Sequence, residues 1–502
     1  MRKLLTLDVG TTAVKVSLFG EDLKLIKSVI NEYQLLTPKS DIVEMQPEVY
    51  WENAVAGIRS VMEQTKTPPE EVVCVTCTTQ GETLIPVGAN KQPLHNAIVW
   101  LDSRAGNEAD IIAEKFDPAA FYAKTGLPEV NAYCPVSKML WVKNNLPDIY
   151  AKTEKLLLLE DFFILKFSGE YATDPGLMCS TGYYDIVDNR VWDDILTAFS
   201  MDASKIPPVF PCGAVVGKLL PEVAGELGLS ADTVVSTSAM DQISAAIGAG
   251  NTEAGIVQES TGTCLAVVAT VDKPDLSKWS PVTVHCHGIA GKYIDLTVCQ
   301  TAGIILKWFR NEFCHDIVAE SGEAAFERMS ELAASAPPLS KGLFLFPHFT
   351  GIQAGIQAPQ ADERARGVFL GAGLDVGRDC FIRAIMESVG YMLRENIEMM
   401  RVEPSHVIAL GGGSKSDVWC QIKANILGNK IVVMETEEIA SLGAAMLGGA
   451  ACGLFPDLPG AAEVFSQSKT FSPETETVAA YKRGYERYLK LYESLKPLFN
   501  PL

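Results

Sequence analysis

The chain has 502 residues, of which 47% are hydrophobic and 21% are charged, and its formal net charge is −20. This length predicts two or three domains, with room for a cleft between two large lobes. The negative charge argues against a nucleic-acid backbone as partner, and the sequence has no apolar run of about 18 residues that would predict a membrane span. Since the first residues lead into a strand rather than a cleavable signal, we expect a cytoplasmic protein that binds small molecules.

A polar turn near the start of the chain lies between two strand-like runs. It reads Asp8-Val9-Gly10-Thr11-Thr12, where Gly10 lets the backbone approach an anion and the free N–H groups carry positive partial charge. The turn predicts a grip for a polyphosphate, with Asp8 holding Mg²⁺ through water. The alternative is an ordinary hairpin with a polar turn. Apolar residues alternate with polar ones on both sides, which predicts a β-hairpin: Leu5, Leu7, Val9, Val14, Val16 and Leu18.

The rest of the first half alternates strands with amphipathic helices. Strands are predicted at 72–76 and 97–100, and helices at 103–115 and 136–144. This alternation is typical of an α/β fold.

Cysteine and histidine clusters are interpreted as structural. Cys74 and Cys77 have a zinc-like spacing, but they lie in a predicted strand, where residues three apart point to opposite faces. His285-Cys286-His287 has only Cys299 near it in sequence as a further ligand. In a chain of this size, 12 scattered cysteines indicate reduced and mostly buried thiols.

Asp241 is the candidate general base. It follows an apolar strand predicted at 233–237 and opens a predicted helix, so its carboxylate would project from a strand end into the cleft. Phosphoryl transfer to a hydroxyl needs a carboxylate that accepts the proton, and a helix N-terminus favours the charged form. From the pattern alone, a helix-capping role for Asp241 fits equally well.

A second Gly-Thr turn occurs about 250 residues after the first. Residues 255–268 contain two strand-like runs that meet at Ser260-Thr261-Gly262-Thr263. Two such hairpins predict two lobes of similar architecture that grip one nucleotide from both sides. Neither a P-loop nor a Gly-x-Gly-x-x-Gly turn opening a helix occurs in the sequence, which weakens those alternatives. We place the boundary near residues 248–251, so that the lobes comprise 1–247 and 248–502.

A strand, a triple-glycine turn, a helix and another strand follow one another in the second half. The turn, Gly411-Gly412-Gly413, leaves room for a flat ligand to approach the backbone, and Ser416 is the expected N-cap of the helix. The predicted segments are strands at 407–410 and 431–434 and helices at 416–427, 439–453 and 478–495.

Together these motifs resemble the FGGY family of carbohydrate kinases over nearly the whole chain. The resemblance implies an α/β fold with two RNase H-like lobes, of the actin/hexokinase-like ATPase type, and a cleft between them. The motifs that carry it are Asp8-Val9-Gly10-Thr11-Thr12, Asp241-Gln242, Ser260-Thr261-Gly262-Thr263, Gly303 with Trp308, Ala365-Arg366-Gly367-Val368-Phe369-Leu370-Gly371, Gly411-Gly412-Gly413-Ser414-Lys415-Ser416 and Ser441-Leu442-Gly443-Ala444-Ala445.

The resemblance also implies a role for each matched residue. Asp241 would be the base and, with Asp8, would hold Mg²⁺. Lys15 either adds charge near the phosphates or is an exposed strand residue. The residues that bind ATP would be Thr11, Thr12 and Thr263 at the terminal phosphates, Gly303, Gly411 and Gly412 at the adenosine, and also Gly10, Gly262 and Ser416.

The acceptor site implied by the resemblance lies in the first lobe. Glycerol kinases carry an arginine where this chain has Gly81, whereas pentulokinases similar to xylulokinase have a glycine there, preceded by a histidine where this chain has Gln80. Trp100 either contacts the sugar or is structural. Residues 349–356 replace a Ser-Gly-Glu-Arg-Thr-Pro run of many pentulokinases, which leaves the role of the 349–366 segment open. The sugar-binding residues would be Gln80, Gly81, Glu82, Trp100, Tyr133, Asp241 and Gln242.

These observations predict an ATP-dependent kinase that phosphorylates a primary hydroxyl of a ketopentose such as xylulose. Alternatives within the class are kinases for ribulose, gluconate, glycerol or erythrulose. An alternative from another class is a nucleotide-gated binding protein of the actin-like fold. Dimers are common in the resembled family, which makes a homodimer a candidate assembly.

Overall fold

The computed structural model describes residues 1–352, 362–434, 438–462 and 467–499. The two largest sheets, of six and seven strands, lie one in each half of the chain. The strands of the first half are β1 Lys3–Val9, β2 Ala13–Gly20, β3 Leu25–Glu32, β4 Leu36–Lys39, β5 Ile42–Met45, β6 Val72–Thr79, β7 Leu84–Gly88, β8 Ala97–Ile98, β9 Thr153–Leu158, β10 Tyr184–Asp185, β11 Arg190–Val191, β12 Val215–Lys218 and β13 Val234–Ser236. Its helices are α1 Pro47–Thr65, α2 Gly106–Lys115, α3 Pro118–Thr125, α4 Pro135–Asn145, α5 Pro147–Lys152, α6 Leu159–Ser168, α7 Pro175–Met178, α8 Asp193–Ala198, α9 Pro221–Leu227 and α10 Asp241–Gly248.

Among the described residues, the second half contains fewer elements, and its helices are on average longer. Its strands are β14 Ile256–Thr261, β15 Leu265–Val271, β16 Thr283–Cys286, β17 Tyr293–Cys299, β18 Phe344–Phe346, β19 Val368–Leu370, β20 His406–Leu410, β21 Ile431–Met434 and β22 Gln467–Phe471. Its helices are α11 Gly303–Phe313, α12 His315–Ser321, α13 Ala325–Ser335, α14 Arg378–Met400, α15 Asp417–Leu427, α16 Ile439–Ala451, α17 Leu458–Ala462 and α18 Thr475–Leu495.

The predicted N-terminal hairpin is confirmed. Strands β1 and β2 pair antiparallel, with Asp8 opposite Lys15, and all six of the alternating apolar side chains are fully buried. The sheet has the order β12-β13-β6-β1-β2-β3, in which β6 runs parallel to both β1 and β13. Three parallel strands therefore end at the same edge of the first sheet.

The second sheet repeats this arrangement. Its order is β16-β17-β15-β14-β20-β21-β22, in which the antiparallel hairpin β14-β15 is followed by β20 and β21, both parallel to β14. The pairing of β14, β15, β20 and β21 thus matches that of β1, β2, β6 and β13. The prediction of two units of similar architecture is confirmed.

The two faces of the first sheet bury different side-chain clusters. Cys74 packs into the cluster that contains Leu4 and Leu177, whereas Cys77 packs into the one that contains Leu5 and Tyr50. The two thiols of β6 thus point to opposite faces, as the strand periodicity predicts.

The two halves meet where α10 crosses α16. A methyl group at Gly443 would collide with the backbone carbonyl of Ser244, and one at Gly248 would collide with that of Ile439. The backbones of the two helices are therefore in direct contact, which only glycine permits at these positions.

Several elements are shorter than predicted, among them β8 and α2. Strand β8 ends at Ile98. The carbonyls of Val99 and Trp100 accept hydrogen bonds from the side chain of Lys138 instead of from a neighbouring strand. Helix α2 begins at Gly106 rather than at residue 103, because the amide of Arg104 donates to the carboxylate of Asp102. No helix within the described ranges is both long and apolar enough to cross a membrane.

Candidate functional site

Residues at the ends of three parallel strands form one side of the candidate site. Asp8 lies near the end of β1, Gln80 directly follows β6, and Asp241 lies five residues after β13. The amide of Gln80 donates to the carbonyl of Val9 over 3.0 Å, and the hydroxyl of Thr78 donates to the carbonyl of Ala239 over 2.8 Å. These bonds hold the three strand ends together at one edge, where ligands of α/β sheets bind.

The turn of the first hairpin is held from below by Tyr33. The phenol hydroxyl of Tyr33 donates to the carbonyl of Gly10, and its amide donates to the carbonyl of Thr12 over 2.9 Å. Thr11 is half-buried and Thr12 is exposed. The carbonyls of Gly10 and Thr12 are thus engaged on the protein side, while Thr12 itself is exposed.

Trp100 connects the loop after β6 to this turn. Its indole N–H donates to the hydroxyl of Thr11 over 2.9 Å, and its backbone amide donates to the hydroxyl of Thr83 over 3.1 Å. Of the two interpretations of Trp100, the structural one has direct evidence in these bonds. Sugar contact by Trp100 stays a prediction.

Asp241 begins α10, as predicted, and carries a perturbed carboxyl group. Burial raises the pKa of Asp241 from 3.8 to about 7, and the negative charges of Asp8 and Glu82 add to the rise. One carboxylate oxygen accepts a 2.6 Å hydrogen bond from the amide of Gln242, which opposes the shift. The segment before Asp241 is anchored by the buried Glu160 carboxyl, which accepts from the amide of Ser238 over 2.6 Å. A carboxyl group with this pKa can accept a proton near neutral pH.

Lys15 forms an ion pair with the other half of the chain. Its ammonium lies 2.6 Å from Glu438, the residue before α16, and 3.6 Å from Asp8. Burial lowers the pKa of Lys15, but Glu438 and Asp8 together outweigh it and raise the value. Burial also raises the pKa of Asp8, and Lys15 counteracts this. Lys15 is therefore a partly buried cation at the junction of the two halves rather than an exposed strand residue.

The loop after β6, residues 80–83, is the predicted acceptor loop and brings three predicted sugar-binding residues together. Gln80 is buried and donates from its side-chain amide to the hydroxyl of Tyr50 over 3.2 Å. Gly81 is so tightly enclosed that a Cβ atom there would lie 3.3 Å from the sulfur of Met240. Glu82 has a φ of 58°, and burial raises the pKa of its carboxyl group. The loop therefore lies directly beside the segment that carries Asp241.

Tyr133 lies just before α4, and its side chain is 46% exposed. Its backbone amide donates to the side chain of Asn131 over 3.0 Å. Gln242 is exposed, at the second position of α10. Contact of either side chain with a sugar stays a prediction.

The second sheet presents a matching edge made of glycines. A methyl group at Gly303 would collide with the carbonyl of Gly262, and one at Gly411 would lie 2.8 Å from the carbonyl of Thr261. Gly411 has a φ of 74°, and the carbonyl of Thr263 accepts from the amide of Ala302 over 3.0 Å. The end of β14, the start of α11 and the triple-glycine turn therefore converge. Gly412 lies in the same turn, which gives a ligand access to bare backbone.

Ser416 has the capping role that the sequence predicts. Its hydroxyl accepts from the amide of Trp419 over 3.2 Å and contacts the hydroxyl of Ser330 at 2.9 Å. The structure places Ser416 at the start of α15, with its hydroxyl engaged by the protein. A part for Ser416 in nucleotide binding stays a prediction.

Two buried lysines support the site and escaped the sequence analysis. Lys423 lies 2.6 Å from Glu259 and donates to the hydroxyl of Thr261 over 2.9 Å, with both charged side chains fully buried. It lies under the triple-glycine turn. Lys138 on α4 lies under the acceptor loop. Each lysine lies at a buried position of its helix, among apolar neighbours. A charged residue at such a position in the sequence could have indicated a cation that is paired inside the protein.

Comparisons with known proteins follow the same division of the chain. Residues 3–248 match the model of the FGGY family of carbohydrate kinases, N-terminal domain, and residues 260–452 match that of its C-terminal domain. The chain is 28% identical to the xylulose kinase of Bacillus subtilis (strain 168) over 503 residues, which cover 99% of this chain and 98% of the relative. It is 25% identical to the gluconokinase of Bacillus licheniformis over 505 residues, or 98% of this chain and 96% of the relative.

A solved structure has the same fold over the whole chain. The crystal structure of xylulose kinase from Rhodospirillum rubrum superimposes with a TM-score of 0.88 at 24% identity, covering 99% of this chain and 100% of that one.

Proposed function

The chain belongs to the FGGY family of carbohydrate kinases, and we propose that it transfers the terminal phosphoryl group of ATP to a primary hydroxyl of a neutral ketopentose such as xylulose. The observation that carries the proposal is the position of Asp241. Its carboxyl group, with a pKa of about 7, lies where the acceptor loop, the first hairpin and α10 meet. Family membership also removes the earlier alternative of a nucleotide-gated binding protein.

Asp241 is proposed as the general base. Phosphoryl transfer needs in-line placement and a group that accepts the hydroxyl proton as the new P–O bond forms. A base is most effective when its pKa lies near the working pH, and the burial of Asp241 together with the charges of Asp8 and Glu82 produces that match. The sugar hydroxyl would therefore lie between Asp241 and the nucleotide.

ATP is proposed to lie between the two sheet edges. The hydroxyls of Thr11, Thr12 and Thr263 would contact its phosphates, and Lys15 would add positive charge. The adenosine would lie against Gly303 and the triple-glycine turn, where the absence of side chains lets a flat ring approach the backbone. With this assignment, we also propose that the two lobes comprise residues 1–247 and 248–502.

The carboxylates of Asp8 and Asp241 fit a magnesium ion. The charge of Asp8 raises the pKa of Asp241, so the two groups repel each other in the absence of a cation. Mg²⁺ keeps several waters and takes only one or two protein carboxylates besides phosphate oxygens. The described part of the chain contains no cluster of three or more His, Cys, Asp or Glu side chains arranged as metal ligands. When bound with ATP, the ion would neutralise phosphate charge.

The electrostatics of the acceptor site support a neutral sugar over a sugar acid. Asp8, Glu82 and Asp241 bring three carboxyl groups together, and two of them already raise the pKa of the third. A carboxylate on the substrate would add a fourth negative group to a partly desolvated site. This is unfavourable because the nearby cations are already engaged, Lys15 by Glu438 and Asp8 and Lys138 by three backbone carbonyls. Gluconate is therefore the less favoured acceptor.

The test is a substrate panel measured by sugar-dependent ADP release. The panel comprises xylulose, ribulose, erythrulose, glycerol and gluconate, and we expect xylulose to give the highest kcat/KM. Asp241→Ala should lower kcat by about 10²- to 10⁴-fold, because it removes the proton acceptor and one of the two proposed magnesium ligands, while ATP still binds through the two hairpins and the triple-glycine turn. Near wild-type turnover of Asp241→Ala would reject the assigned base, and a preference for gluconate would reject the neutral acceptor.

A further inference from the structure

Lys138 makes an unusual set of contacts beneath the proposed acceptor site. Its side chain is 0% exposed, and its ammonium donates to the carbonyls of Glu82 and Val99, each over 2.9 Å, and to that of Trp100 over 3.3 Å. An ammonium has three N–H donors, so all of them are used. Every acceptor is a backbone carbonyl, and together they belong to two separate loops.

We propose that Lys138 is a positioning residue of the acceptor site. It holds the 80–83 loop and the 99–102 loop in one fixed arrangement and links both to the turn of the β1-β2 hairpin, where the phosphates are proposed to bind. The proposal rests on the proposed function for the identity of the site. Lys138 itself lies below both loops and would not touch the sugar.

The first loop needs such an anchor because its backbone is strained. Glu82 has a φ of 58°, in the left-handed region that costs a non-glycine residue about 1 kcal/mol or more. The neighbouring amide of Thr83 donates back to the carbonyl of Gly81 over 2.8 Å, which makes the turn tight. The hydrogen bond from Lys138 to the carbonyl of Glu82 holds this residue in its left-handed conformation, with its carboxyl group near enough to Asp241 to affect that residue's charge.

The second loop connects Lys138 to the turn of the first hairpin, where ATP is proposed to bind. Lys138 fixes the carbonyl of Trp100, and the indole of Trp100 donates to the hydroxyl of Thr11 over 2.9 Å. The backbone amide of Trp100 also donates to Thr83 in the first loop. Lys138, Trp100 and Thr11 thus form a continuous chain of contacts from the acceptor loop to the phosphate hairpin.

The protonation of Lys138 makes this arrangement sensitive to pH. Burial lowers the pKa of Lys138 to about 8, while the charges of Glu82, Asp102 and Cys134 raise it and that of Arg104 lowers it further. Above this pH the side chain becomes an amine with two N–H donors for three carbonyls. One of the three bonds is then lost, and the two loops are held less firmly.

The first experiment uses the wild-type chain alone and needs no substrate. Hydrogen exchange is measured by mass spectrometry between pH 7 and pH 9, and protection factors are calculated for peptides that cover residues 80–83 and 99–102. We expect protection of these peptides to fall about tenfold as Lys138 loses its proton, while α14 keeps its protection. Unchanged protection of the two loops across this range would overturn the proposal.

The second experiment separates positioning from a merely structural role. In Lys138→Met, the KM for xylulose should rise about tenfold or more, with a smaller rise in the KM for ATP, and the decline of kcat/KM above pH 8 should disappear. The matched control is Lys143→Met on the same helix, because Lys143 also donates to a backbone carbonyl, that of Phe199, but away from the site. Equal effects of the two variants, or a pH profile unchanged in Lys138→Met, would overturn the proposal.

These outcomes are distinct from a failure of the proposed function. If xylulose is not the acceptor, wild-type activity is absent with xylulose, but the exchange experiment still reports on Lys138. If Lys138→Met does not fold, the exchange experiment is repeated with Asp241→Asn, in which Asp241 no longer titrates. The pH-dependent loss of protection must persist there, and its disappearance would overturn the proposal.

Discussion

Replacing Asp241 with asparagine should stabilise the folded chain, and increasingly so as the pH rises. The pKa of the Asp241 carboxyl group is about 7 in the folded chain and 3.8 ordinarily. Between these values the folded chain retains a proton that the unfolded chain has lost, so rising pH favours unfolding. Asparagine has the same shape and no charge, and therefore removes this penalty.

The size of the effect follows from the pKa difference. A difference of about three units corresponds to about 4 kcal/mol at 1.36 kcal/mol per unit. Asp241 keeps part of its surface in contact with solvent, which screens its charge, and we therefore expect about 2 kcal/mol. The gain should be fully present at pH 8 and nearly absent at pH 4.

Urea unfolding of the wild type and Asp241→Asn, at several pH values between these limits, measures the difference. The control is Asp110→Asn, which removes an exposed carboxylate on α2 and should give no comparable pH-dependent gain. A stability difference between wild type and Asp241→Asn that does not change with pH would refute the reasoning. Such a result would mean that Asp241 is not held in an environment that disfavours its charge.

Three substitutions test the packing around the site. Lys423→Met should lower the free energy of unfolding by about 3–5 kcal/mol, because it leaves the Glu259 carboxylate buried and unpaired; urea unfolding measures it. Gly303→Ala should raise the KM for ATP about tenfold or more without a matching change for the sugar, since the added methyl displaces the Gly262 carbonyl. Gly443→Ala should cost about 1–3 kcal/mol of stability, because it forces α10 and α16 apart.

Each of these expectations has a clear contrary result. If Lys423→Met with Glu259→Leu is no more stable than Lys423→Met alone, the unpaired carboxylate is not the cause of the loss. A rise in the sugar KM alone would place Gly303 outside the nucleotide site. Wild-type stability of Gly443→Ala would show that the helix crossing tolerates a methyl group.

Periodicity and turn composition were enough to predict the framework of the site. The alternation of apolar residues around Gly10 predicted the first hairpin, and the similar turn at Gly262 predicted its counterpart in the second sheet. The nearness of Asp8 and Asp241 was implied by the family resemblance, and the structure explains it by the shared edge of the parallel strands. These features depend on local sequence and on general rules of sheet topology.

Contacts between segments distant in sequence could not be predicted in this way. The interpretation of Lys15 stayed open because its partner, Glu438, lies more than 400 residues further along the chain. The proposed positioning role of Lys138 depends on backbone carbonyls of two loops. Every residue carries such a carbonyl, so the sequence does not indicate which of them accept a hydrogen bond from a side chain. The 353–361 part of the atypical segment lies outside the described residues.

The glycine crossing of α10 and α16 affects how accurately the carboxyl group of Asp241, the proposed base, is placed. At an ordinary helix interface, interdigitated side chains separate the axes, and each rotamer change alters their spacing by a fraction of an ångström. Here main chain touches main chain at Gly248 and Gly443, so rotamer changes contribute nothing to the spacing at that point. The distance between Asp241, the first residue of α10, and the second half of the chain therefore depends on the rigid geometry of the peptide backbone.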